Sequence, residues 1–346
     1  MRPICPEGNI PSGVIGQISH KGEIIKMKNV TEIKKVAMYG AGTIGGGLAA
    51  YFALKGLDVN VYVRSEASIE RAKPKIQMAI DAYVKYDIAP DAKTLWNRIH
   101  FTTDPAEAFT DVYFVQENGA EVLEQKHEMI AIMEQYLPAE AVIASSSTGM
   151  PTTLIAQKAQ HPERIIVAHP FNPAYLIPLV EICKGEKTEQ QYVDWAVAFY
   201  KQFDKTPIVM LKEKPGFVAN RLAHALWREE VALVCEGVCT IEDADNAVAY
   251  GPGLRWGIMG PALGYELGAG TMGLGEMLRR YASSSNAIFA DLSNFAATPE
   301  TFPEIAEKQM PEFMASLPEH IGHQHKDIAA FRDKMLVEML RMHKKL

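Results

Sequence analysis

The tightest constraint on how this chain can fold is a run of glycines. Residues 36–39, Val-Ala-Met-Tyr, form a short apolar stretch of the kind that makes a buried parallel strand. Gly40, Gly42 and Gly45 follow at G-x-G-x-x-G spacing. Leu48, Ala49, Tyr51, Phe52 and Leu54 then give an apolar helix that Gly56 can close. A strand, a glycine turn and a helix in that order describe a dinucleotide cradle. Gly40 permits the tight turn, and Gly42 lets the backbone approach a pyrophosphate. Gly45 lets the helix pack close to the strand, with Thr43 and Ile44 in the helix N-terminus that faces the phosphates. Glycine turns are common, so the motif alone is weak. The flanking elements and a second strand at 59–63 make it specific.

The second strand ends in Val63, Arg64 and Ser65, where an NAD site usually offers an acid to the ribose 2′-hydroxyl. A guanidinium and a hydroxyl suit a 2′-phosphate. Arg64 and Ser65 therefore favour NADP over NAD, the alternative being a solvated arginine on a loop.

Further strands are expected at 99–103, 112–115, 141–144, 164–168 and 207–211. Helices are expected at 68–86, interrupted near Pro74, at 121–136 and at 188–203. Strands alternating with helices make a Rossmann-like, doubly wound parallel sheet, whose ligands collect at the strand carboxyl ends. This dinucleotide-binding domain is expected over 31–212. After the turn residues at 212–216 the pattern becomes all-helical, giving a second domain over 213–346. Helices are expected at 217–236, from a Thr240/Asp243 capping box to Tyr250, and at 327–345. Residues 281–325 are a candidate lid. Residues 1–30, with Pro3, Pro6 and Pro11, read as an extension of unknown role, a small hairpin or an ordered arm, and Met27 is an alternative initiator.

A net charge of −7 leaves no basic surplus for a nucleic-acid partner. No apolar run approaches the roughly 20 residues of a membrane span, and no secretory leader is evident. A cytoplasmic protein is expected. Cys5, Cys183, Cys235 and Cys239 are scattered. Cys235 and Cys239 would share a helix face, yet no cysteine or histidine pair completes a metal site, so reduced thiols and no metal are expected.

The sharpest chemical grouping is His169-Pro-Phe-Asn-Pro, then Glu181, with residues 145–148 before it and Asn220 after it. Histidine suits proton transfer near neutral pH. A carboxylate such as Glu181 can hold the imidazole tautomer and stabilise its charged form. Thr148 and Asn220 can hold a substrate oxygen. A histidine at a strand end is also an ordinary structural hydrogen-bond donor, and the serines at 145–147 can cap a helix beginning near Pro151.

Segments 40–45, 144–148, 169–173, 178–181 and 215–221 together, in this order, resemble the 3-hydroxyacyl-CoA dehydrogenase superfamily. The resemblance implies that His169 is catalytic, that Glu181 orients it, and that Asn220 belongs to the substrate site. Thr148 stands where the family has serine. Glu121 and Lys126 fall on the cofactor side, with a solvated helix face as the alternative for both. A homodimer through the helical domain is implied as well. Val63 replaces the usual aspartate, a departure from the family's NAD preference. Stretches 225–230, 250–256, 259–261 and 332–337 look closer to the L-carnitine dehydrogenase, L-gulonate 3-dehydrogenase and lambda-crystallin branch than to the CoA enzymes.

That branch implies NAD(P)-dependent oxidation of a small, carnitine-like 3-hydroxy acid. Ser146, Arg255 and Trp256 are the expected substrate contacts, with Arg221 and Arg228 as further candidates for a carboxylate. Tyr175, Trp227 and Tyr265 join Trp256 as aromatic faces for a trimethylammonium, although such residues more often fill cores. Residues 287–290, Ala-Ile-Phe-Ala, stand where carnitine dehydrogenases carry tryptophans, which counts against carnitine itself. The alternatives are a short-chain 3-hydroxyacyl-CoA dehydrogenase and a non-catalytic dinucleotide-binding protein.

Overall fold

The structure, a computed structural model, describes residues 27–346. The expected hairpin or arm therefore lies outside the described residues, apart from 27–30. There Asn29 caps a short turn at Val30–Glu32 by accepting from Thr31 N. The Lys28 carbonyl takes the Trp195 indole proton at 2.6 Å.

The chain divides into two compact units between Pro215 and Gly216. The first is built on eight strands: β1 (Lys35–Tyr39), β2 (Asp58–Tyr62), β3 (Ile99–Thr102), β4 (Phe114–Glu117), β5 (Val142–Ser145), β6 (Ile165–Pro170), β7 (Leu179–Lys184) and β8 (Thr206–Met210). They lie in the order β3-β2-β1-β4-β5-β6-β7-β8. Every neighbouring pair is parallel except β6 and β7. The helices of this unit are α1 (Thr43–Leu54), α2 (Glu66–Lys85), α3 (Ala92–Trp96), α4 (Pro105–Phe109), α5 (Leu123–Tyr136), α6 (Thr152–Ile155) and α7 (Gln190–Gln202). Val36, Ala37, Met38, Val59, Val61, Phe114 and Val115 show no exposure. Burial runs without alternation because helices cover both faces of such a sheet.

Three local departures from the sequence reading have physical causes. β4 runs two residues further than expected and takes in Gln116 and Glu117, both buried. Their polarity hides a strand from any hydrophobic pattern, because tertiary partners satisfy them. β7 is a strand that the sequence pattern does not mark. It returns antiparallel after the short 171–178 connector, which a parallel crossover could not use. Finally, α2 continues through Pro74. Ile69, Ala72, Ile76, Ala79, Ile80 and Tyr83 are buried on either side of it, and that burial outweighs the roughly 3 kcal/mol a proline costs a helix.

The second unit contains no strand among its described residues. Its helices are α8 (Ala219–Cys235), α9 (Ile241–Tyr250), α10 (Pro252–Trp256), α11 (Pro261–Ala269), α12 (Gly273–Arg280), α13 (Ala282–Asp291), α14 (Phe302–Ser316) and α15 (His325–Met342). Val231, Val234, Ile241, Ala244 and Phe302 form a core, with Ile305 and Phe313 packed against it. α14 is thus part of the core of this unit. α8 ends at Cys235, so Cys239 lies beyond it and the two thiols share no helix face. Thr240 caps α9 by accepting from Asp243 N at 3.1 Å. The Asp243 carboxylate takes the Thr240 hydroxyl proton at 2.7 Å, which makes only half of the expected capping box.

Candidate active site

Tyr39 ends β1, and Gly40 turns the chain at φ +86°, a conformation that disfavours any side chain. A Cβ on Gly45 would stand 2.2 Å from Gly40 O and 2.9 Å from Asn118 Cγ, whereas one on Gly42 would meet nothing within 4 Å. Gly45 therefore serves close packing, and Gly42 presents bare backbone beside the start of α1, where Thr43 and Ile44 lie. A cleft of about 220 Å³ opens here. Tyr39, Gly40, Gly42, Tyr62, Arg64 and Ser68 line it, together with Arg71 and Lys75. Three cations and no carboxylate face this space. A bare glycine cradle, a helix N-terminus and a cationic wall fit a dinucleotide.

Ser65 does not line the cleft. Its hydroxyl sits 2.9 Å from that of Ser68, which accepts from Arg71 Nη2 at 2.7 Å. The cleft lining holds Ser68, Arg71 and Lys75, none of which the sequence reading names for this site, and not Ser65. The available signal was their spacing, because residues 68, 71 and 75 follow one helix face.

β6 and β7 build the second feature of this edge. Their antiparallel register sets His169 directly opposite Glu181. The His169 Nδ1 to Glu181 Oε2 distance is 2.9 Å, with side chains 5% and 0% exposed. Proton donation from Nδ1 to this carboxylate makes Nε2 the lone-pair nitrogen of the neutral ring.

Between the cleft and this pair, the end of β4 carries a buried polar network. Glu117 accepts from Lys126 Nζ through both oxygens, at 3.0 and 2.9 Å, from Ser145 Oγ at 2.6 Å and from Gly119 N at 2.5 Å. Lys126 also donates to Gly119 O at 3.4 Å and is 1% exposed. It braces the turn from beneath, and the cleft lining does not include it. Glu121 accepts from Ser147 Oγ at 3.0 Å, from Thr148 N at 2.5 Å and from Thr148 Oγ1 at 3.1 Å, so two expected site residues meet.

Ser146 is a brace as well. It accepts from Gln116 Nε2 and donates to Asn118 Oδ1, each at 2.8 Å. Gln116 also donates to Ala168 O at 3.0 Å and accepts from Tyr200 OH at 2.5 Å. Ser147 accepts from Met150 N at 2.9 Å, closing a turn just ahead of α6. Gln116, Glu117 and Asn118 escape a sequence reading that ends the strand at residue 115.

Two family models cover most of this chain. Residues 35–214 match the 3-hydroxyacyl-CoA dehydrogenase NAD binding domain, and residues 216–296 match the 3-hydroxyacyl-CoA dehydrogenase C-terminal domain. The chain belongs to the 3-hydroxyacyl-CoA dehydrogenase family. Its cofactor is a nicotinamide dinucleotide. An L-carnitine dehydrogenase of Streptomyces griseus is 37% identical over 311 residues, 90% of either chain. Another, from Streptomyces coelicolor, is 36% identical over 316 residues, 91% of this chain and 96% of that one. Among solved structures, a 5-formyl-3-hydroxy-2-methylpyridine 4-carboxylic acid 5-dehydrogenase, an NAD+ dependent dismutase, superposes with a TM-score of 0.72. It is 29% identical, covering 90% of this chain and 98% of that one.

In this family member the remaining expected residues belong to the second unit. Asn220 lies in the first turn of α8, which also carries Arg221, Trp227 and Arg228. Arg255 and Trp256 end α10, both exposed. Tyr265 is exposed on α11, and the Trp227 ring meets Phe302 edge-on at 5.5 Å. Tyr175, in the first unit, is only 5% exposed. Its ring packs edge-on against Tyr83 at 6.1 Å, so it is core rather than an open aromatic face. Among the described residues no histidine, cysteine or acidic cluster could hold a metal. Burial pushes the Cys183 thiol up to about 11, which keeps it an inert thiol.

Proposed function

We propose that this protein reversibly oxidises the 3-hydroxyl of a small hydroxy acid, with His169 as general base and Glu181 behind it. The observation that carries this reading is the buried 2.9 Å bond from His169 to Glu181, at the strand edge that also bears the glycine cradle. Glu181 accepts the Nδ1 proton, holds the ring in one tautomer and stabilises the imidazolium that forms. Nε2 takes the hydroxyl proton while the carbinol carbon loses hydride. The nicotinamide, when bound, supplies the hydride acceptor. In reverse, the imidazolium returns its proton to the carbonyl oxygen. Thr148 and Asn220 are read as holding that oxygen, and Glu121 fixes the Thr148 hydroxyl at 3.1 Å.

A small acid is favoured over an acyl-CoA by the names of similar proteins, which cite carnitine and a pyridine carboxylic acid. Arg255 is read as the carboxylate partner and Trp256 as a face for a quaternary ammonium. NADP is favoured over NAD, because Arg64, Ser68, Arg71 and Lys75 line a cleft without an acid. We read the protein as a cytoplasmic homodimer, joined through the second unit, as the family resemblance implies. No described helix is long and apolar enough to cross a membrane.

The test is reduction of 3-dehydrocarnitine and of acetoacetyl-CoA with NADH and NADPH, for the wild type and His169→Ala. Turnover of the free keto acid, lost in His169→Ala, is the expected outcome. Turnover of acetoacetyl-CoA alone would move the protein to the CoA enzymes. Dinucleotide binding with no turnover of any kind would leave it a non-catalytic binder.

A further inference from the structure

Strands β6 and β7 carry His169 and Glu181, and the register between them depends on the connector at 171–178. Three backbone carbonyls of that connector are held from outside by side chains. Tyr83 OH, from α2, donates to Tyr175 O at 2.7 Å. Lys205 Nζ donates to Ala174 O at 2.7 Å and to Ile177 O at 2.9 Å. Lys205 directly precedes β8, whose first residue, Thr206, donates its N–H to Pro178 O at 2.8 Å. One short stretch of chain thus closes both the side and the end of the connector.

The surroundings of Lys205 are unusual for a cation. It is 2% exposed. Among the described residues no carboxylate forms an ion pair with it, because Asp204 pairs outward with Lys55 at 2.8 Å. The Tyr51 ring lies 3.8 Å from the ammonium, and the Tyr51 hydroxyl donates to Phe203 O. Burying a cation with only carbonyls and a ring for company is expensive, and a methionine would fill the space without that penalty. What a methionine lacks is a donor for two buried carbonyls.

We infer that Lys205 is a positioning residue. Its ammonium holds the 171–178 connector, and through it the register of His169 against Glu181, so that the protonated form is the active one. This rests on the proposed dehydrogenase reading. Burial, with the charge of Lys55, pushes the Lys205 ammonium down to about 7. The other titratable groups facing it are Tyr51 and, behind that ring, Tyr83 and Tyr175. Losing the proton replaces charge-assisted hydrogen bonds with neutral ones of about half the strength and removes the attraction to the Tyr51 ring.

The experiment compares the wild type with Lys205→Met and Lys55→Gln. The pH profile of kcat is measured in the oxidation direction, where a general base only gains with pH, so a fall above neutrality cannot come from His169. Amide hydrogen exchange over residues 174–177 is measured alongside. The wild-type kcat should fall above pH 7. In Lys205→Met it should be reduced roughly 10-fold, short of the ~100-fold that a 1 Å misplacement can cause, and should show no such fall. The dinucleotide KM should stay within about 2-fold, because the change acts on chemistry and not on uniform binding. Exchange at 174–177 should quicken. Lys55→Gln should keep the wild-type optimum rate and move the falling limb to higher pH, which tests the idea even if Lys205→Met does not fold. Wild-type exchange in Lys205→Met, a surviving alkaline fall in that variant, or an unmoved limb in Lys55→Gln would each overturn the inference. The exchange arm needs no substrate. Faster exchange in a protein that turns over no hydroxy acid would support the positioning role and count against the dehydrogenase reading instead.

Discussion

Two polar regions share the carboxyl edge of one sheet, and solvent separates their behaviour. In the nucleotide cleft Arg64, Arg71 and Lys75 are exposed cations on a loop and a helix face. Around β4, β6 and β7, Glu117 pairs with Lys126 and His169 with Glu181, all four buried. Exposed charges act over water, are screened by salt and select among ligands at modest energy. Buried ones hold geometry, and leaving either partner alone is severe. In the function proposed above, the cleft selects the dinucleotide and the buried pairs support the chemistry.

The largest effect should come from the buried side. His169→Gln should lower kcat by roughly 10²- to 10⁴-fold, the usual contribution of a general base, while dinucleotide affinity measured by fluorescence titration stays unchanged. Equal losses in rate and affinity would dissolve the distinction between the two regions. Next, Glu117→Ala strands Lys126 in the interior and should cost about 3–5 kcal/mol in urea unfolding. The double change Glu117→Leu with Lys126→Met should recover most of that stability.

Smaller effects belong to the cleft. Arg71→Ala should weaken NADPH roughly 10-fold, as expected for losing one charged hydrogen bond, and leave NADH nearly unaffected. The gap should narrow in high salt. If NADH suffers equally, Arg71 is not reading a 2′-phosphate.

The last effect concerns Lys205, which belongs to neither class, because it is buried without a carboxylate among the described residues. Its native value, about 7, lies below the ordinary 10.5. Between those two values the unfolded chain carries a proton that the native protein lacks. Its contribution to stability therefore rises with pH over that window, while activity falls. Subtracting the Tm-against-pH curve of Lys205→Met from that of the wild type should reveal this rise. A flat difference would mean that Lys205 stays charged.

How much of this was legible depends on whether the cause is local. The cradle was, because Gly40, Gly42 and Gly45 must stand at fixed offsets between a strand and a helix. His169 and Glu181 were legible as chemistry, and their contact was not, because β7 and its antiparallel register went unread. Ser65 is marked by adjacency to the strand end, whereas its hydroxyl meets that of Ser68 and the helix face places Arg71 in the lining. The resemblance places Lys126 on the cofactor side, and its buried pairing with Glu117 is visible only in the fold.

By itself, the order of residues determined the fold class, the cradle and the kind of chemistry available. Those follow from spacing, apolar runs and side-chain chemistry, all of which act within a few turns of chain. Only the tertiary structure decided which polar groups lie inside and with whom. Glu117 with Lys126, Gln116 with Ser146, and Lys205 with the connector carbonyls are pairs set by strand register and dense packing. No local pattern encodes them, because a buried polar side chain is tolerable only once a partner distant in sequence has arrived.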